Sequence, residues 1–317
     1  MDASLPVIKS LFEKTFGAGG TVNVVRAPGR VDLIGEHTDY NDGFVFPMAI
    51  EPEVRMAFRQ RDDGRVRLAS TAFPGQIPEF SLEEKIQRGE PGWANYSKGV
   101  AAKFVAAGIP VTGMDAIMAN TLPVGGGLSS SAAIEVATAW CFLSLGGLEI
   151  DEARLALLCQ KAEHEYALMP CGIMDQTIVI GGRAGHAMLL DCRDLSRQFV
   201  PLDPNELRVV IVNTMVKHEL TGSEYPTRRR QCEEGVAFFQ KHNPSVKALR
   251  DVTLKQLDDA KAQLPEVVYR RCRHVVSENA RTTEAAMMLG RKSYERAGQL
   301  MVQSHISLRD DYEVSCA

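Results

Sequence analysis

The segment from Arg26 to Ile50, RAPGRVDLIGEHTDYNDGFVFPMAI, concentrates ionisable residues in a short stretch between two apolar runs. Its charged and titratable members are Arg30, Asp32, Glu36, His37, Asp39 and Asp42. Burying such groups costs several kcal/mol each unless they are paired. A solvated turn is one interpretation, because the glycines and Asn41 of the segment form turns readily. Carboxylates and imidazole also make the hydrogen bonds that distinguish one hydroxyl from another, and we favour a sugar-binding loop.

The composition indicates a globular protein without an obvious charged partner. The 317 residues suit two domains, and the formal net charge of −4 gives no footprint for nucleic acid or an anionic membrane. Seven scattered cysteines without a CxxC pair suggest reduced thiols. Lys9, Glu13 and Lys14 interrupt the N-terminal apolar positions, which argues against a signal peptide. No apolar run reaches membrane-spanning length, so we expect a soluble, cytoplasmic monomer that binds no membrane.

The hydrophobic pattern predicts a mixed α+β chain. Strands are predicted at 21–26, 44–50, 53–60, 66–70 (after a hairpin turn at Gly64), 114–119, 177–180, 186–190, 198–202 and 208–213. Helices are predicted from Ser4 to Gly17, at 93–107, from 131 to about 145, from Asp151 to about Leu168, and over most of the chain after Pro226. We place a domain boundary near residue 190, which gives domains 1–190 and 191–317.

A second chemical feature is the glycine-rich turn LPVGGGLSSSAA, from Leu122 to Ala133. Glycines let the backbone approach an anion closely, and the helix that follows offers free N–H groups and a positive dipole end. No lysine follows the glycines, so this is not a Walker A loop. A plain helix-entry turn is the alternative.

The two segments together resemble a known family. GEHTDYNDG resembles the galactokinase signature of the GHMP small-molecule kinases, and PxGxGLSSSAA resembles their second motif. The resemblance implies an α+β fold with an N-terminal domain like ribosomal protein S5 domain 2 and a ferredoxin-like C-terminal domain. Substrate and nucleotide would lie in the cleft between the domains.

The resemblance also implies roles for individual residues. Asp175 would face the attacking sugar hydroxyl, with Arg30 beside it to orient the carboxylate and balance charge. The implied galactose contacts are Glu36, His37, Thr38, Asp39, Gly172, Asp175 and Tyr225. The implied ATP contacts are Gly125, Gly126, Gly127, Leu128, Ser129, Ser130, Ser131, Trp93 and Tyr96. Mg²⁺, which triphosphate transfer needs, would be held by Ser131 and Glu163.

Each of these assignments has a plainer alternative in the residues themselves. Glu163 alone would be an exposed helix carboxylate, and Asp175 alone a helix cap. Trp93 and Tyr96 could be ordinary core aromatics. The run Arg228–Arg230 precedes Glu233 and Glu234, which favours a solvated helix start over a nucleic-acid patch.

The sequence departs from the family in two places. Asp32 replaces the asparagine more usual after GRV, a change that we expect to be tolerated. Family members continue through a third glycine-rich motif, GGGFGG, which is not present in this sequence, so the implied C-terminal domain is incomplete. We expect a protein ending at Ala317 to be poorly soluble or nearly inactive, because open strand edges and apolar faces favour aggregation.

The favoured function is ATP-dependent phosphorylation of the anomeric hydroxyl of α-D-galactose. A catalytically impaired sensor of galactose and ATP is the first alternative, although the phosphate-loop serines and Ala132 are all present. A related kinase for N-acetylgalactosamine or arabinose is the second, and EHTDYNDG argues for galactose.

Overall fold

The computed structural model describes residues 4–123, 126–213 and 225–315. Its strands are β1 (Asn23–Asp32), β2 (Phe44–Val45), β3 (Pro47–Arg61), β4 (Arg65–Ser70), β5 (Glu79–Ser81), β6 (Gly113–Asn120), β7 (His186–Asp191) and β8 (Arg197–Pro201). Its α-helices are α1 (Leu5–Phe16), α2 (Asn95–Ala106), α3 (Ser130–Gly146), α4 (Glu152–Ala162), α5 (Met174–Gly181), α6 (Tyr225–His242), α7 (Leu254–Asp259), α8 (Glu266–Gly290) and α9 (Tyr294–Ser307). Single π-helical turns, Glu163–Ala167 and Leu308–Tyr312, follow α4 and α9.

The larger sheet has five strands in the order β1-β3-β6-β4-β5. Strands β4 and β6 pair in parallel through a crossover that contains α2, and the other neighbours are antiparallel. In β6, Met114, Ala116 and Met118 join the core under α2 and α3. Ile117 and Ala119 pack instead with α1 on the opposite face. Both faces of this central strand are therefore covered, as alternating side-chain directions require.

The second sheet has three antiparallel strands in the order β2-β7-β8. Strand β2 lies directly after the charged loop, so this sheet anchors one end of that loop. Val45 packs with Ile178 of α5 and Met188 on one side. Phe46, just beyond β2, packs on the other side with residues of α8 and α9, including Ala285. The segment that follows the charged residues is thus packed between α5 on one side and α8 and α9 on the other.

The remaining helices form a separate apolar core. Its buried members include Cys232, Leu249, Leu257, Cys272, Val275 and Tyr312. None of the helices in the described part of the chain is both long and apolar enough to cross a membrane. The predicted boundary near residue 190 falls inside β7, and the division into domains stays a prediction.

The α+β class is confirmed, and most predicted elements are present, including the N-cap at Asp151, whose side chain accepts a hydrogen bond from Arg154 N. The hairpin at Gly64 is wrong, because β6 lies between β3 and β4 although Gly64 does turn the chain with φ +64°. The helix predicted to reach Leu168 ends at Ala162 and continues as the π turn.

Two strand predictions are also wrong. Residues 177–180 belong to α5, where Gln176 to Val179 are all buried. A short apolar run without a polar face cannot distinguish a buried helix from a buried strand. Residues 208–213 form no strand, and Val210 and Val212 are 79% and 76% exposed. Their β-branched side chains favour a strand, but a strand needs a neighbour to satisfy its backbone.

Candidate active site

Arg30 and Asp175 form the centre of the site. A register irregularity between Pro28 and Arg30 interrupts β1, and pairing with β3 resumes at Arg30, opposite Ala49. Its Nε and Nη2 donate to Asp175 Oδ1 and Oδ2 at 2.7 and 3.0 Å, a bidentate pair that joins β1 to the first turn of α5. Burial alone would lower the pKa of Arg30, but Asp175 and neighbouring acids more than offset this and raise it. Arg30 is therefore a permanent cation at this position.

The same guanidinium reaches the phosphate loop. Arg30 Nη1 donates to the carbonyl of Gly127 at 2.6 Å, and the Arg30 backbone N–H donates to the carbonyl of Leu128 at 3.2 Å. The predicted catalytic pair and the predicted phosphate loop are consequently in direct contact.

Asp39 and Gly172 approach each other closely in the predicted sugar pocket. A Cβ atom at Gly172 would lie 1.8 Å from Asp39 Oδ2, so only glycine leaves room for the carboxylate. Asp39 Oδ1 accepts a hydrogen bond from the Tyr40 backbone N–H at 2.9 Å. Burial and the nearby charge of Asp175 raise the pKa of Asp39 to about 7. Burial also raises the pKa of Glu36 in the same loop.

His37 lies in an aromatic cluster. Its backbone has φ +64°, a left-handed conformation that is uncommon for a non-glycine residue. The ring centroid is 4.7 Å from Tyr312 and 5.6 Å from Tyr225, and Nδ1 is 2.9 Å from the hydroxyl of Tyr40. Burial lowers the pKa of His37 to about 3, with smaller contributions from His274 and Arg228. The imidazole is neutral and has both a donor and an acceptor.

Thr38 has a different environment from its neighbours. It is fully buried, and its hydroxyl contacts the carbonyl oxygens of Gly35 and Phe44 at 2.7 and 2.6 Å. These contacts hold the two ends of the loop together. Its predicted role as a sugar contact stays a prediction.

The departure at Asp32 leaves one acceptor without a partner. Asp32 Oδ1 accepts from the Phe46 backbone N–H at 3.2 Å, whereas Oδ2 is buried with no hydrogen bond. Burial, followed by the charge of Glu36, raises the pKa of Asp32 well above its usual range. The extra charge of an ionised aspartate is therefore strongly disfavoured here.

The glycine-rich turn leads into α3 as expected. Gly127 and Ser129 have φ of +68° and +59°, and the helix begins at Ser130. Ser129 is buried, and its Oγ has no hydrogen-bond partner. An unpartnered hydroxyl beside a helix N-terminus fits a site for an anion. Gly125 lies outside the described residues.

Glu163 is 4% exposed, so the plain interpretation as a surface carboxylate is wrong. Ser131 hydrogen bonds to its side chain, and Gln176 Nε2 donates to its Oε2 at 2.7 Å. Burial and then the charge of Asp175 raise the pKa of Glu163 to about 7. Among residues 4–123, 126–213 and 225–315, no cationic side chain is hydrogen bonded to this buried carboxylate, which bonds to a hydroxyl, so the two groups fit a Mg²⁺ ligand pair.

The described residues contain no group of three or more His, Cys, Asp or Glu side chains that could hold a metal by themselves. Phosphate and water would therefore supply the other ligands of a Mg²⁺ ion at Ser131 and Glu163.

The predicted adenine-site aromatics lie in different environments. Trp93 stacks on Phe73, with ring centroids 5.8 Å apart and planes within 1°, and its Nε1 donates to Gln76 at 2.8 Å. Burial, followed by Glu163 and Glu135, raises the pKa of Tyr96 to about 12. Tyr96 thus lies near the Glu163 carboxylate, and the assignment of both to ATP stays a prediction.

Several residues of the site were missed by sequence reasoning. Glu135 is fully buried and accepts from Gln176 Nε2 at 3.1 Å, behind Glu163. The hydroxyl oxygens of Tyr312 and Tyr40 are 2.7 Å apart and share a hydrogen bond in which either can be the donor. Arg228, taken as part of a solvated helix start, is 6% exposed and donates to the carbonyl of Tyr312 at 2.7 Å. The position of Glu135 one helical turn after Ser131 was the available signal for that residue.

Comparison with known proteins agrees with this geometry. Residues 10–60 match the galactokinase galactose-binding signature, and residues 95–183 match the N-terminal domain of GHMP kinases. The chain is 47% identical to galactokinase of Chloroflexus aggregans over 99% of its own length and 80% of that protein. It is also 47% identical to human galactokinase, over 96% of the chain and 77% of that protein.

Solved structures give the same result. The crystal structure of Lactococcus lactis galactokinase complexed with galactose superposes with a TM-score of 0.94 at 32% identity, covering 98% of this chain and 81% of that one. Methanococcus jannaschii mevalonate kinase shares the fold, with a TM-score of 0.54 at 15% identity. The fold and site therefore define a GHMP-type kinase. Within that class, the chain belongs to the galactokinase family.

Proposed function

We propose that this enzyme transfers the γ-phosphoryl group of ATP to the anomeric hydroxyl of α-D-galactose. The observation that carries the proposal is the junction at Arg30, which contacts Asp175 in α5 and the Gly127 carbonyl of the phosphate loop. One cation therefore touches both the group that would hold the sugar hydroxyl and the loop that would hold the phosphates.

The chemistry assigned to Asp175 follows from its partner. Arg30 bonds both carboxylate oxygens of Asp175, and these oxygens still have lone pairs for a sugar hydroxyl. A loose phosphoryl transition state needs little proton removal before bond formation, so a group that orients the hydroxyl is sufficient early in the reaction. Asp175 would orient the anomeric hydroxyl and accept its proton late, and Arg30 would offset the charge on the transferred phosphoryl group.

The sugar would be recognised by the loop between β1 and β2. Asp39, Glu36 and the neutral His37 present carboxylates and an imidazole to its hydroxyls, and the Tyr225 ring covers the same pocket. Bound hydroxyls would donate to buried acceptors that otherwise lose hydration, so binding relieves part of their desolvation cost.

We assign Mg²⁺ to Ser131, in the first turn of α3, and to Glu163, the first residue of the π turn after α4. When bound, the ion would offset the negative charge of the ATP phosphates. The unpartnered Ser129 hydroxyl and the α3 N-terminus would contact the phosphates directly.

We further infer a cytoplasmic enzyme that acts as a monomer. The six cysteines among the described residues are free thiols, as in proteins of reducing compartments.

The test is ADP release measured over a panel of galactose, glucose, N-acetylgalactosamine and arabinose, with the product identified by ³¹P NMR. We expect turnover with galactose and a sugar 1-phosphate. Turnover restricted to N-acetylgalactosamine or arabinose would assign the enzyme to a related specificity. Galactose binding without turnover would favour the sensor, against which the paired Arg30 and Asp175 and the complete serine run argue.

A further inference from the structure

We propose that one face of α8 positions Glu36 for sugar recognition, with His274 and Glu278 as the positioning residues. This inference rests on the proposed function, because it assigns to α8 the control of galactose affinity. Neither residue belongs to the sugar loop, and each is separated from Glu36 by more than 200 positions.

The two α8 side chains bond the backbone on either side of the Glu36 α-carbon. Glu278 Oε1 accepts from the Gly35 backbone N–H at 3.1 Å. His274 Nε2 is 2.9 Å from the carbonyl oxygen of Glu36. Helix α8 thus holds both the peptide group before Gly35 and the peptide group after Glu36. The orientation of these two peptide groups sets the direction of the Glu36 side chain.

The bonding roles of His274 follow from its partners. A carbonyl oxygen only accepts, so Nε2 carries the hydrogen that is donated to Glu36. Burial lowers the pKa of His274, which leaves Nδ1 as the acceptor for the Ser307 hydroxyl at 2.9 Å. His274 is 0% exposed, and its ring is fixed by bonds at both nitrogens.

Glu278 is fixed in the same way. It is fully buried, its Oε1 also accepts from the Ser304 hydroxyl, and its Oε2 is paired with Arg281 at 2.7 Å. The next residue of α8, Asn279, also contacts the loop: its Oδ1 accepts from the Phe44 backbone N–H at 2.8 Å, where the loop returns to β2.

The loop has a reason to need this support. His37, directly after Glu36, has the left-handed φ of +64°, a conformation that persists only where its surroundings enforce it. Removing a bond to the Glu36 carbonyl would let that peptide rotate, and the side chains of Glu36 and His37 would leave their sugar-binding orientations together.

Two matched pairs of variants test this inference. His274→Gln keeps an N–H near the Nε2 position, whereas His274→Asn keeps only the contact toward Ser307. Glu278→Gln and Glu278→Met both remove the charge opposite Arg281, but only the glutamine keeps an acceptor for Gly35. The measurements are the galactose Kd by calorimetry, the galactose and ATP KM values, and Tm.

We expect the galactose Kd and KM to be about tenfold higher in His274→Asn than in His274→Gln, as the loss of one buried hydrogen bond predicts. The same contrast is expected between Glu278→Met and Glu278→Gln. The ATP KM should agree within about twofold across each pair, because the phosphate loop is not touched by α8 in these contacts. If His274→Asn does not fold, the Glu278 pair decides.

Equal galactose affinity within each pair, or an ATP KM that changes as much as the galactose KM, would overturn the inference. Wild-type protein that neither binds nor phosphorylates galactose would overturn the proposed function, and this inference with it. Wild-type protein that phosphorylates galactose, with no contrast within the pairs, would overturn the inference alone.

Discussion

Individual carboxylates in this site are buried close to one another, and the charge of one disfavours ionisation of the next. Asp39 and Glu163 both have a pKa of about 7, and the charge of Asp175 contributes to each shift. Perturbed carboxylates of this kind cluster at functional sites because catalysis and binding require groups that folding alone would not select.

Replacing Asp175 should remove catalysis and spare binding. Asp175→Asn keeps the size of the side chain but cannot accept the proton of the sugar hydroxyl, so kcat should fall by at least about 100-fold. The galactose Kd should change by less than about tenfold, since an amide still bonds the hydroxyl. Asp194→Asn, at an exposed turn, is the control. A kcat near that of the wild type would remove Asp175 from the mechanism.

Asp39 should make the unliganded protein less stable as the pH rises. Its folded pKa of about 7 exceeds the value of about 4 in an unfolded chain, so the folded state binds more protons between these values. The contribution of Asp39 to the free energy of unfolding therefore falls as the pH rises from about 4 to 7.

Asp39→Asn cannot titrate and should lose this dependence. The Tm advantage of the variant over the wild type should be larger at pH 8 than at pH 5, while its galactose KM rises. Thermal melts without galactose measure the first effect, and steady-state kinetics the second. A Tm difference that does not change between the two pH values contradicts the assigned pKa.

At the scale of elements, the π turn after α4 and the first turn of α5 hold the acidic side chains. The turn before α3 and the start of α4 could be predicted from the sequence, because the glycine-rich run and the cap at Asp151 are local signals. Helix α5 could not be predicted from the sequence. Its four residues from Gln176 to Val179 are all buried, so no alternation of polar and apolar residues marks the segment as a helix. The Arg30–Asp175 contact spans 145 positions and was accessible only through the family resemblance.

Glu163→Gln should raise the Mg²⁺ concentration needed for half-maximal activity. Loss of a carboxylate ligand to a hard cation should raise this concentration at least about tenfold. Tenfold is the lower end of the range for removing a residue that only hydrogen bonds to a metal ligand. The matched control is Glu165→Gln, two residues along the same turn, where the side chain is exposed and paired with Lys103. A magnesium titration that is the same in both variants would mean that Glu163 binds no metal.

At the scale of the whole molecule, Arg250 joins the second sheet to the helical region. From the turn Leu249–Asp251 it donates to the Asp42 carbonyl at 2.8 Å and to Asp191 at 2.9 Å, and it lies 4.3 Å from the ring centroid of Phe44. Sequence reasoning placed no constraint on this arrangement, because every one of these contacts is long-range. The second sheet, which combines β2 with β7 and β8, was missed for the same reason.

Arg250→Ala should lower the free energy of unfolding by about 2–4 kcal/mol, because it leaves the partly buried Asp191 carboxylate without its cationic partner. Arg193→Ala is the comparison, since Arg193 pairs with Asp251 at 2.8 Å but is 38% exposed, and a loss below about 1 kcal/mol is expected. Urea denaturation of both variants measures the difference. Equal midpoints would show that the Arg250 contacts contribute no more than a surface pair.

The contact between Gly172 and Asp39 restricts how this enzyme can acquire a new sugar. Any side chain at position 172 displaces the carboxylate whose Oδ2 lies 1.8 Å from where its Cβ would be. In a saturation library at this codon, under a selection that requires galactose phosphorylation, glycine alone should be recovered. Laboratory evolution toward other sugars would then have to proceed through substitutions at other positions of the pocket, with the backbone at position 172 kept bare beside the carboxylate.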